Sequence, residues 1–443
     1  MAIKIGFVSL GCNKNLCDTE NMMGILLENG FEITPYPEKA EVIIVNTCGF
    51  IESAQQESID TILEMAGYKG QNCKLLVVCG CLAQRFYKEI MDELPEIDVI
   101  VGTTAFDEIA EAIKDGLSGK KSSYIYDIDK DVPEDLPRVR TTPHYTAYLK
   151  IAEGCDNKCT YCAIPYIRGK YRSRSEEAIL SEAQALADDG VKEIIVVAQD
   201  TTRYGIDLYG EKRISSLLKK LCLIDGIEWV RIHYSYPEEL DDVLIQTIKN
   251  EEKIVKYLDI PVQHGSSSVL KRMGRKTSRE KLEALIEKLR REIPDITLRT
   301  SIIAGFPGET EEEFSELCEF LEKVKFDRVG VFAYSCEEGT PAARMKDQLS
   351  TEIKETRRDK VMELCQKISL SRNESMIGKT ITVMTEGFEN NLYYGRSGGE
   401  SIEIDPKIYF GAHRELSAGD FVDVVIKSAD NYDLYGEEIE RMV

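Results

Sequence analysis

Three cysteines within eight residues constrain this chain more than any other feature: Cys155-Asp156-Asn157-Lys158-Cys159-Thr160-Tyr161-Cys162. A segment this short with three thiols reads as a loop wrapped around a shared ligand, and the apolar run at 147–152 reads as the strand that delivers it. Three thiolates so spaced suit three irons of a cubane cluster. No fourth cysteine stands near in sequence, so one iron keeps an open position for a ligand. Zinc takes four ligands, commonly from Cys-x2-Cys pairs, whereas the spacing here is Cys-x3-Cys-x2-Cys. A redox pair made of Cys159 and Cys162 alone leaves Cys155 without a role.

The scaffold around that loop alternates strand and helix. Strands are predicted at 147–152, 193–198, 229–234, 257–260, 297–304 and 328–332, with helices at 175–188, 214–221, 241–248, 279–291 and 311–324. Six β/α units in this order argue for a barrel-like or open α/β layer, a partial (β/α)6 barrel. A long charged helix is predicted over 351–373. Before the barrel, strands at 4–10, 42–46, 74–79 and 97–101 alternate with helices at 18–29, 52–66 and 86–94, the pattern of a doubly wound parallel sheet. Residues 116–142 turn to Gly, Ser, Lys, Asp and Pro and read as a linker with one short strand at 124–126. The tail has short alternating runs at 380–384, 402–404, 421–426 and 433–439 between Gly-rich turns, the economical pattern of a five-stranded β-barrel. The expected division is α/β throughout 1–118 and 144–373, a linker at 119–143, and an all-β module at 374–443.

The N-terminal part carries a second set of thiols. Cys12, Cys48 and Cys81 each follow a predicted strand, and in a parallel sheet the three positions share the carboxyl edge, where ligands of doubly wound folds gather. Convergence there would bind one more cluster. The competing reading is that each is a small buried hydrophobe. Cys17, expected at the start of the helix after the first loop, is the substitute ligand; Cys73 falls at the opposite edge and Cys79 inside a strand. Cys222, Cys318, Cys336 and Cys365 have no clustered partners and read as structural.

Composition narrows the setting. The 443 residues are 43% hydrophobic and 30% charged, with 56 Lys and Arg against 78 Asp and Glu, a net charge of −22. Such a field opposes a nucleic-acid backbone and suits a basic protein partner. Thirteen cysteines are too few for a disulfide scaffold of this length and fit metal ligands in a reducing compartment. The longest apolar run, 75–83, is far short of a membrane span, and the N-terminus lacks the pattern of a secretory signal. The expectation is a cytosolic protein.

Cys155, Cys159 and Cys162, with Tyr161 before the last cysteine and the loop after a first barrel strand, resemble the radical S-adenosylmethionine superfamily. The whole chain resembles the methylthiotransferases, which join a three-cysteine N-terminal domain, a radical barrel and a small β-barrel of the TRAM type, OB-like in build. Ser9-Leu10-Gly11-Cys12-Asn13-Lys14-Asn15-Leu16-Cys17-Asp18-Thr19-Glu20, Tyr161-Cys162-Ala163-Ile164-Pro165-Tyr166-Ile167-Arg168-Gly169 and Arg231-Ile232-His233-Tyr234-Ser235-Tyr236-Pro237 are similar to the RimO-type branch rather than the tRNA-modifying MiaB branch. Asn13, Cys17 and Thr19 stand where that branch usually has Pro, Val and Ser.

The resemblance implies two [4Fe-4S] clusters, one on Cys12, Cys48 and Cys81 and one on Cys155, Cys159 and Cys162. It implies S-adenosylmethionine held at the open iron of the barrel cluster, a 5′-deoxyadenosyl radical, and no side-chain acid or base. Tyr161, Gln199, Asp200, Gln263 and Gly305 are the cofactor-side residues it points to. Gly305 belongs to a loop whose glycines permit close approach, or to a plain turn into a helix. His264 reads equally as a functional or a structural histidine, and Lys14 and Arg168 as cluster-neutralising or solvated cations. Tyr393 and Tyr394 read as barrel packing. The implied substrate is an aspartate of ribosomal protein S-twelve, with an external electron donor and a sulfur donor. The alternatives are the same chemistry on tRNA adenosine, and an iron–sulfur carrier without radical chemistry. The tail holds 6 Lys and Arg against 13 Asp and Glu, which disfavours tRNA. It reads as a separate docking module, expected to be removable without loss of S-adenosylmethionine cleavage.

Overall fold

The computed structural model describes residues 2–439. Its first sheet holds β1 (Lys4–Ser9), β2 (Glu32–Thr34), β3 (Val42–Thr47), β4 (Leu75–Gly80), β5 (Val99–Val101) and β6 (Ser122–Tyr124). All five pairings are parallel, in the order β2-β1-β3-β4-β5-β6. Val42, Ile44, Leu75 and Val77 pack on one face, while Ile43, Val45, Leu76 and Val78 pack on the other. Helices cover both faces, which is why the strands read as unbroken apolar runs. The sequence reading misses β2, whose three residues carry Glu and Thr and little apolar signal. Its helix at 18–29 begins earlier, at Asn13. The chain reverses its winding between β1 and β3, so the switch point of the sheet lies at the ends of those two strands.

The central sheet is parallel throughout. Its strands β7 (Thr146–Lys150), β10 (Glu193–Val197), β11 (Trp229–Ile232), β12 (Ile254–Asp259), β13 (Thr297–Ala304) and β14 (Arg328–Ala333) lie in chain order as six β/α units. A small antiparallel hairpin, β8 (Ala152–Glu153) with β9 (Arg172–Ser173), closes the base of the Cys155–Cys162 loop. Leu149, Ile194, Val196, Val230 and Leu258 face the surrounding helices in the main core. The trailing helix spans Thr351–Glu374, as its charge pattern predicts.

The tail is a closed barrel, β15 (Thr380–Glu389), β16 (Leu392–Ser397), β17 (Ile408–Gly411), β18 (Phe421–Ala429) and β19 (Leu434–Glu438), ordered β15-β16-β17-β19-β18. The strand predicted at 402–404 is a turn, and β16 and β17 take its place in the count. The physical reason is packing outside the small barrel. Ile402 is buried in the central β/α domain against Tyr148, Ile195 and Val197.

Around it, Arg231 donates to the carbonyls of Gly398 and Ser397, Tyr257 donates to Asp405 at 2.8 Å, and Ser401 meets His233 at 2.8 Å. Glu193, fully buried, receives Arg231 Nε at 2.9 Å on one oxygen and Arg396 on the other. Burial pushes its carboxyl up, but the two guanidiniums outweigh it and hold it at about 2. Glu193→Ala strands two buried cations, and its expected cost is about 3–5 kcal/mol in a denaturant midpoint series. Because the folded pKa is depressed, the contribution is complete above about pH 5 and is lost as pH falls toward 2.

The linker is not free. Arg138 bridges Glu20 of the first domain and Glu182 of the second, and Thr141 donates its amide to Glu20 at 2.6 Å. Among the described residues no helix is long and apolar enough to cross a membrane.

Candidate active site between two sets of thiols

Cys12 caps the first helix after β1, Cys48 follows β3, and Cys81 opens the short helix Cys81–Arg85 after β4. The topology thus brings all three to the carboxyl edge around the switch point, as their spacing in the sequence predicts. Gly11, at φ +85°, makes the approach possible: a Cβ there would lie 2.8 Å from Cys48 Cβ and 3.0 Å from its Sγ. Asn15 and Asn46 lock the loops, with Asn15 Nδ2 on Leu10 O at 2.8 Å and Asn46 Nδ2 on Asn15 O at 2.9 Å. The thiols feel one another. Burial, with the negative charges of Cys81 and Cys12, pushes Cys48 up to about 11 against the Phe50 amide. Cys12, accessible to solvent, moves the other way: desolvation by the protein around it opposes ionisation, but Lys14, Arg168 and the amides of Asn15 and Lys14 outweigh it.

The rival thiols lie elsewhere. Cys17 sits a turn inside the helix, not at its start, and is buried against Tyr148 with its Sγ 3.9 Å from Arg138. Burial pushes it up to about 12. Cys17→Ala is expected to retain full iron content on reconstitution and to cost about 1 kcal/mol in unfolding. Cys79 is in the core beside Val77 and Val101, and Cys73 is in the opposite face's core. Cys222 and Cys365 are buried, Cys318 half-buried and Cys336 exposed.

The second set is held by its own loop and by the barrel. The Cys155 amide donates to Gly169 O at 3.0 Å, Thr160 N to Met273 O at 2.9 Å, and Thr160 O accepts from Ala342 N. Asn157 Nδ2 donates to Asp200 at 2.8 Å, and the other Asp200 oxygen takes the Thr202 amide. Asp200 is thereby spent on anchoring the loop. Tyr236 Oη lies 2.8 Å from Cys159 Sγ. Tyr161 packs with Val269, Met273, Phe306 and Tyr334 in an apolar wall beside the loop.

Gln263 takes φ +73° while its backbone bridges to β13, and Gly305 takes φ +76° with Lys354 where a Cβ would be. The Gly305 loop is organised by a residue the sequence reading missed, Glu309. Its Oε2 accepts from the amides of Gly305 and Phe306 and from His264 Nε2 at 3.1 Å, and its Oε1 accepts from Arg357. His264 Nδ1 accepts from the Ser266 amide, which leaves Nε2 as the donor. His264 is therefore a structural hub.

The first domain packs on the segment that follows the second set. Cys81 packs on Ala163 and Ile167, just past Cys162. Arg168, 2% exposed, reaches from the second loop into the first domain. It donates to Asp18 at 2.7 Å, Asn15 at 3.0 Å, Glu153 at 3.0 Å and Cys81 Sγ at 3.4 Å. Lys150 completes a buried set of two cations and two carboxylates with Asp18 and Glu153. Glu153 also accepts from Gln199 Nε2 at 2.7 Å. Lys14 is buried over the Tyr234 ring, 3.3 Å from its centroid. The solvated reading of Lys14 and Arg168 is thus overturned. A second strut joins Arg85 to Glu337 at 2.8 Å, and Glu337 also takes the Glu52 amide.

Comparison with known proteins decides the family. A Ribosomal protein uS12 methylthiotransferase RimO from Acetivibrio thermocellus is 52% identical over 450 residues, covering 100% of this chain and 99% of that protein. The proteins of the same name from Lachnoclostridium phytofermentans (52%, covering 98% of this chain and 99% of the relative) and Clostridium botulinum (53%, 98% of each) match similarly. The chain belongs to the RimO methylthiotransferase family. Within it, residues 149–321 match the radical SAM superfamily, 4–102 the uncharacterized protein family UPF0004 and 377–439 the TRAM domain. In fold, the chain is similar to the radical S-adenosylmethionine methyltransferase TsrM from Kitasatospora setae, with a TM-score of 0.58 at 13% identity over 77% of this chain and 74% of that one. It is also similar to the S-adenosylmethionine radical enzyme OxsB, at 0.53 and 14% identity over 83% of this chain and 56% of that one.

Membership of this family and superfamily brings a [4Fe-4S] cluster and S-adenosylmethionine. The residues fit both. Among the described residues no three His, Cys, Asp or Glu converge on a single metal ion; a cubane instead takes each thiolate on a separate iron, which a set of three spread cysteines suits. For the nucleoside and amino-acid ends, buried polar atoms stand without partners at the strand ends: Gln199 Oε1 after β10 and Ser235 Oγ after β11. In a protein interior such atoms call for a ligand or water.

Proposed function

We propose that this chain is a radical methylthiotransferase acting on the β-carbon of an aspartate in ribosomal protein uS12. Two [4Fe-4S] clusters would serve it, one on Cys12, Cys48 and Cys81 and one on Cys155, Cys159 and Cys162. The observation that carries the reading is that the domain bearing the first three thiols packs on the segment just past the second three, Cys81 against Ala163, Ile167 and Arg168. An electron carrier needs neither the second set nor a barrel mouth lined with unpartnered polar atoms. Bound there, S-adenosylmethionine and a cluster on Cys155, Cys159 and Cys162 would supply radical hydrogen abstraction from an unactivated carbon, and Cys12, Cys48 and Cys81 would hold the group that supplies sulfur.

The chain's own residues hold and enclose. Gln199 Oε1 and Ser235 Oγ offer acceptors to the methionyl ammonium. The Gly305–Glu309 loop and Gln263 shape the adenosine side, and Tyr161, Phe306 and Tyr334 exclude water from the mouth. Glu153 fixes the Gln199 amide, so that its carbonyl faces the site. The division of labour follows the limits 1–118, 144–373 and 374–443, with 119–143 strapped between the first two. The substrate and the reduced thiols both suit the cytoplasm, and the electrons come from an external donor.

Mass spectrometry of ribosomal proteins and tRNA nucleosides from a deletion strain tests this. The expected result is an unmodified uS12 aspartate with tRNA methylthio-adenosine unchanged. Loss of the tRNA modification with uS12 intact would overturn the substrate.

A further inference from the structure

The two thiol sets differ in what faces their sulfurs. On the first, the Arg168 guanidinium donates to Cys81 Sγ at 3.4 Å, and the buried Lys14 ammonium acts on Cys12 from two residues away. On the second, the donors to sulfur are neutral: Tyr236 Oη on Cys159 at 2.8 Å and Asn157 on Cys155. The cations on that side are paired, Arg85 with Glu337 at 2.8 Å and Arg275, which lies over the Tyr236 ring, with Glu238 at 2.8 Å. On the first side Asp18 and Glu153 likewise balance Arg168 and Lys150, which leaves Lys14 as the excess buried charge there. Hydrogen bonds to ligating sulfur and nearby positive charge stabilise the reduced, more negative state of an iron–sulfur centre and so raise its potential. Buried cations do this more strongly than solvated ones because the medium screens them less.

We infer that Arg168 and Lys14 hold the N-terminal cluster at a higher reduction potential than the barrel cluster, with Arg168 as a positioning residue that acts through Cys81. The inference rests on the two-cluster reading above. Its consequence is an order of electron filling within one molecule. The first cluster accepts an electron readily and keeps it, and the barrel cluster remains the stronger reductant. Arg168 is suited to this because it belongs to both halves. It lies six residues after Cys162 in the loop of one set, yet its fork is pinned by Asn15 and Asp18 of the other. Any shift of the two domains that withdraws the guanidinium from Cys81 alters the potential of the first cluster, so the potential reports their docking.

The test is a redox titration followed by low-temperature electron paramagnetic resonance on full-length, anaerobically reconstituted protein. Cys155→Ala/Cys159→Ala/Cys162→Ala isolates the first cluster, and Cys12→Ala/Cys48→Ala/Cys81→Ala isolates the second. The first is expected to have the higher midpoint; the reverse order would overturn the inference. In the first background, Arg168→Gln and Lys14→Gln are each expected to lower the midpoint by at least a factor of ten in the one-electron equilibrium, about 59 mV, with iron content unchanged. Arg168→Lys, which keeps the charge and loses the planar fork, should fall between. An unmoved midpoint in both Gln variants, with the cluster retained, would overturn the role. If Arg168→Gln fails to hold iron, Lys14→Gln decides alone, since Lys14 rests on a ring face rather than in the carboxylate set. Absence of any cluster in the first background would instead overturn the ligand assignment itself, and iron analysis distinguishes that outcome from a failed tuning role.

Discussion

Protein carrying Cys12→Ala, Cys48→Ala and Cys81→Ala is expected to keep roughly half of its iron, about four atoms rather than eight, and to cleave S-adenosylmethionine under reducing conditions. Methylthiolated product is expected to fall by about 100-fold or more. The two sets hang on different elements, one on the ends of β1, β3 and β4, the other on a single loop between β8 and β9. Removing the first set leaves the anchors of the second in place: Cys155 N on Gly169 O, Thr160 N on Met273 O and Asn157 on Asp200. The opposite triple variant should also keep half of the iron but cleave nothing. Iron analysis, 5′-deoxyadenosine and product mass are read from the same samples. Product formation without the first set would remove sulfur handling from that domain.

Much of this site is legible in the sequence because its chemistry is written in residue types that have few other uses. A Cys-x3-Cys-x2-Cys loop after an apolar strand leaves little choice. The first set is legible only through topology, since Cys12, Cys48 and Cys81 are far apart in the chain and meet because parallel strands share an edge. Charged residues at the interface were harder. Lys150 lies inside the apolar run 147–152 and Glu153 just after it, and Asp18 sits in a helix that is otherwise read by its apolar face. A charge inside such a run signals a buried pair, because an unpaired one would be too costly, but the sequence does not say with what. Arg168 could be read either way until its partners Asn15, Asp18, Glu153 and Cys81 were brought to it by a second domain. Glu309 was invisible for a different reason. It closes the loop that holds Gly305 and carries no signal of its own, and only the folded loop turns it inward to His264 and two amides. In the tail, residues 402–404 alternate as a strand would. Their apolar side chain serves another module's core, and periodicity carries no information about which core a residue enters.

That last point changes what removal of residues 375–443 does. The charge pattern alone describes a detachable acidic module, and on that reading the truncated chain should cleave S-adenosylmethionine normally. The structure makes the tail part of the radical barrel. Truncation takes Arg396 from Glu193, the Gly398 carbonyl from Arg231, Asp405 from Tyr257 and Arg299, Ser401 from His233, and Ile402 from its apolar contacts. Breaking one buried ion pair costs about 3–5 kcal/mol, and a domain's whole stability is about 5–15 kcal/mol. The truncated chain is therefore expected to lose both S-adenosylmethionine cleavage and methylthio transfer, with a transition temperature too low to measure as a cooperative step. Docking has to be tested with surface charge instead. Glu415 and Glu437 are exposed on the tail, and Glu415→Lys/Glu437→Lys leaves the buried set intact. If the acidic tail steers a basic ribosomal protein, this double variant raises the apparent Michaelis constant about two- to tenfold at low salt, and the difference shrinks as salt screens exposed charge. Uncoupled cleavage of S-adenosylmethionine stays at the parent level, because neither side chain touches the barrel mouth. A Michaelis constant indifferent to both charge reversal and salt would move the docking surface off the tail, whatever the truncation does.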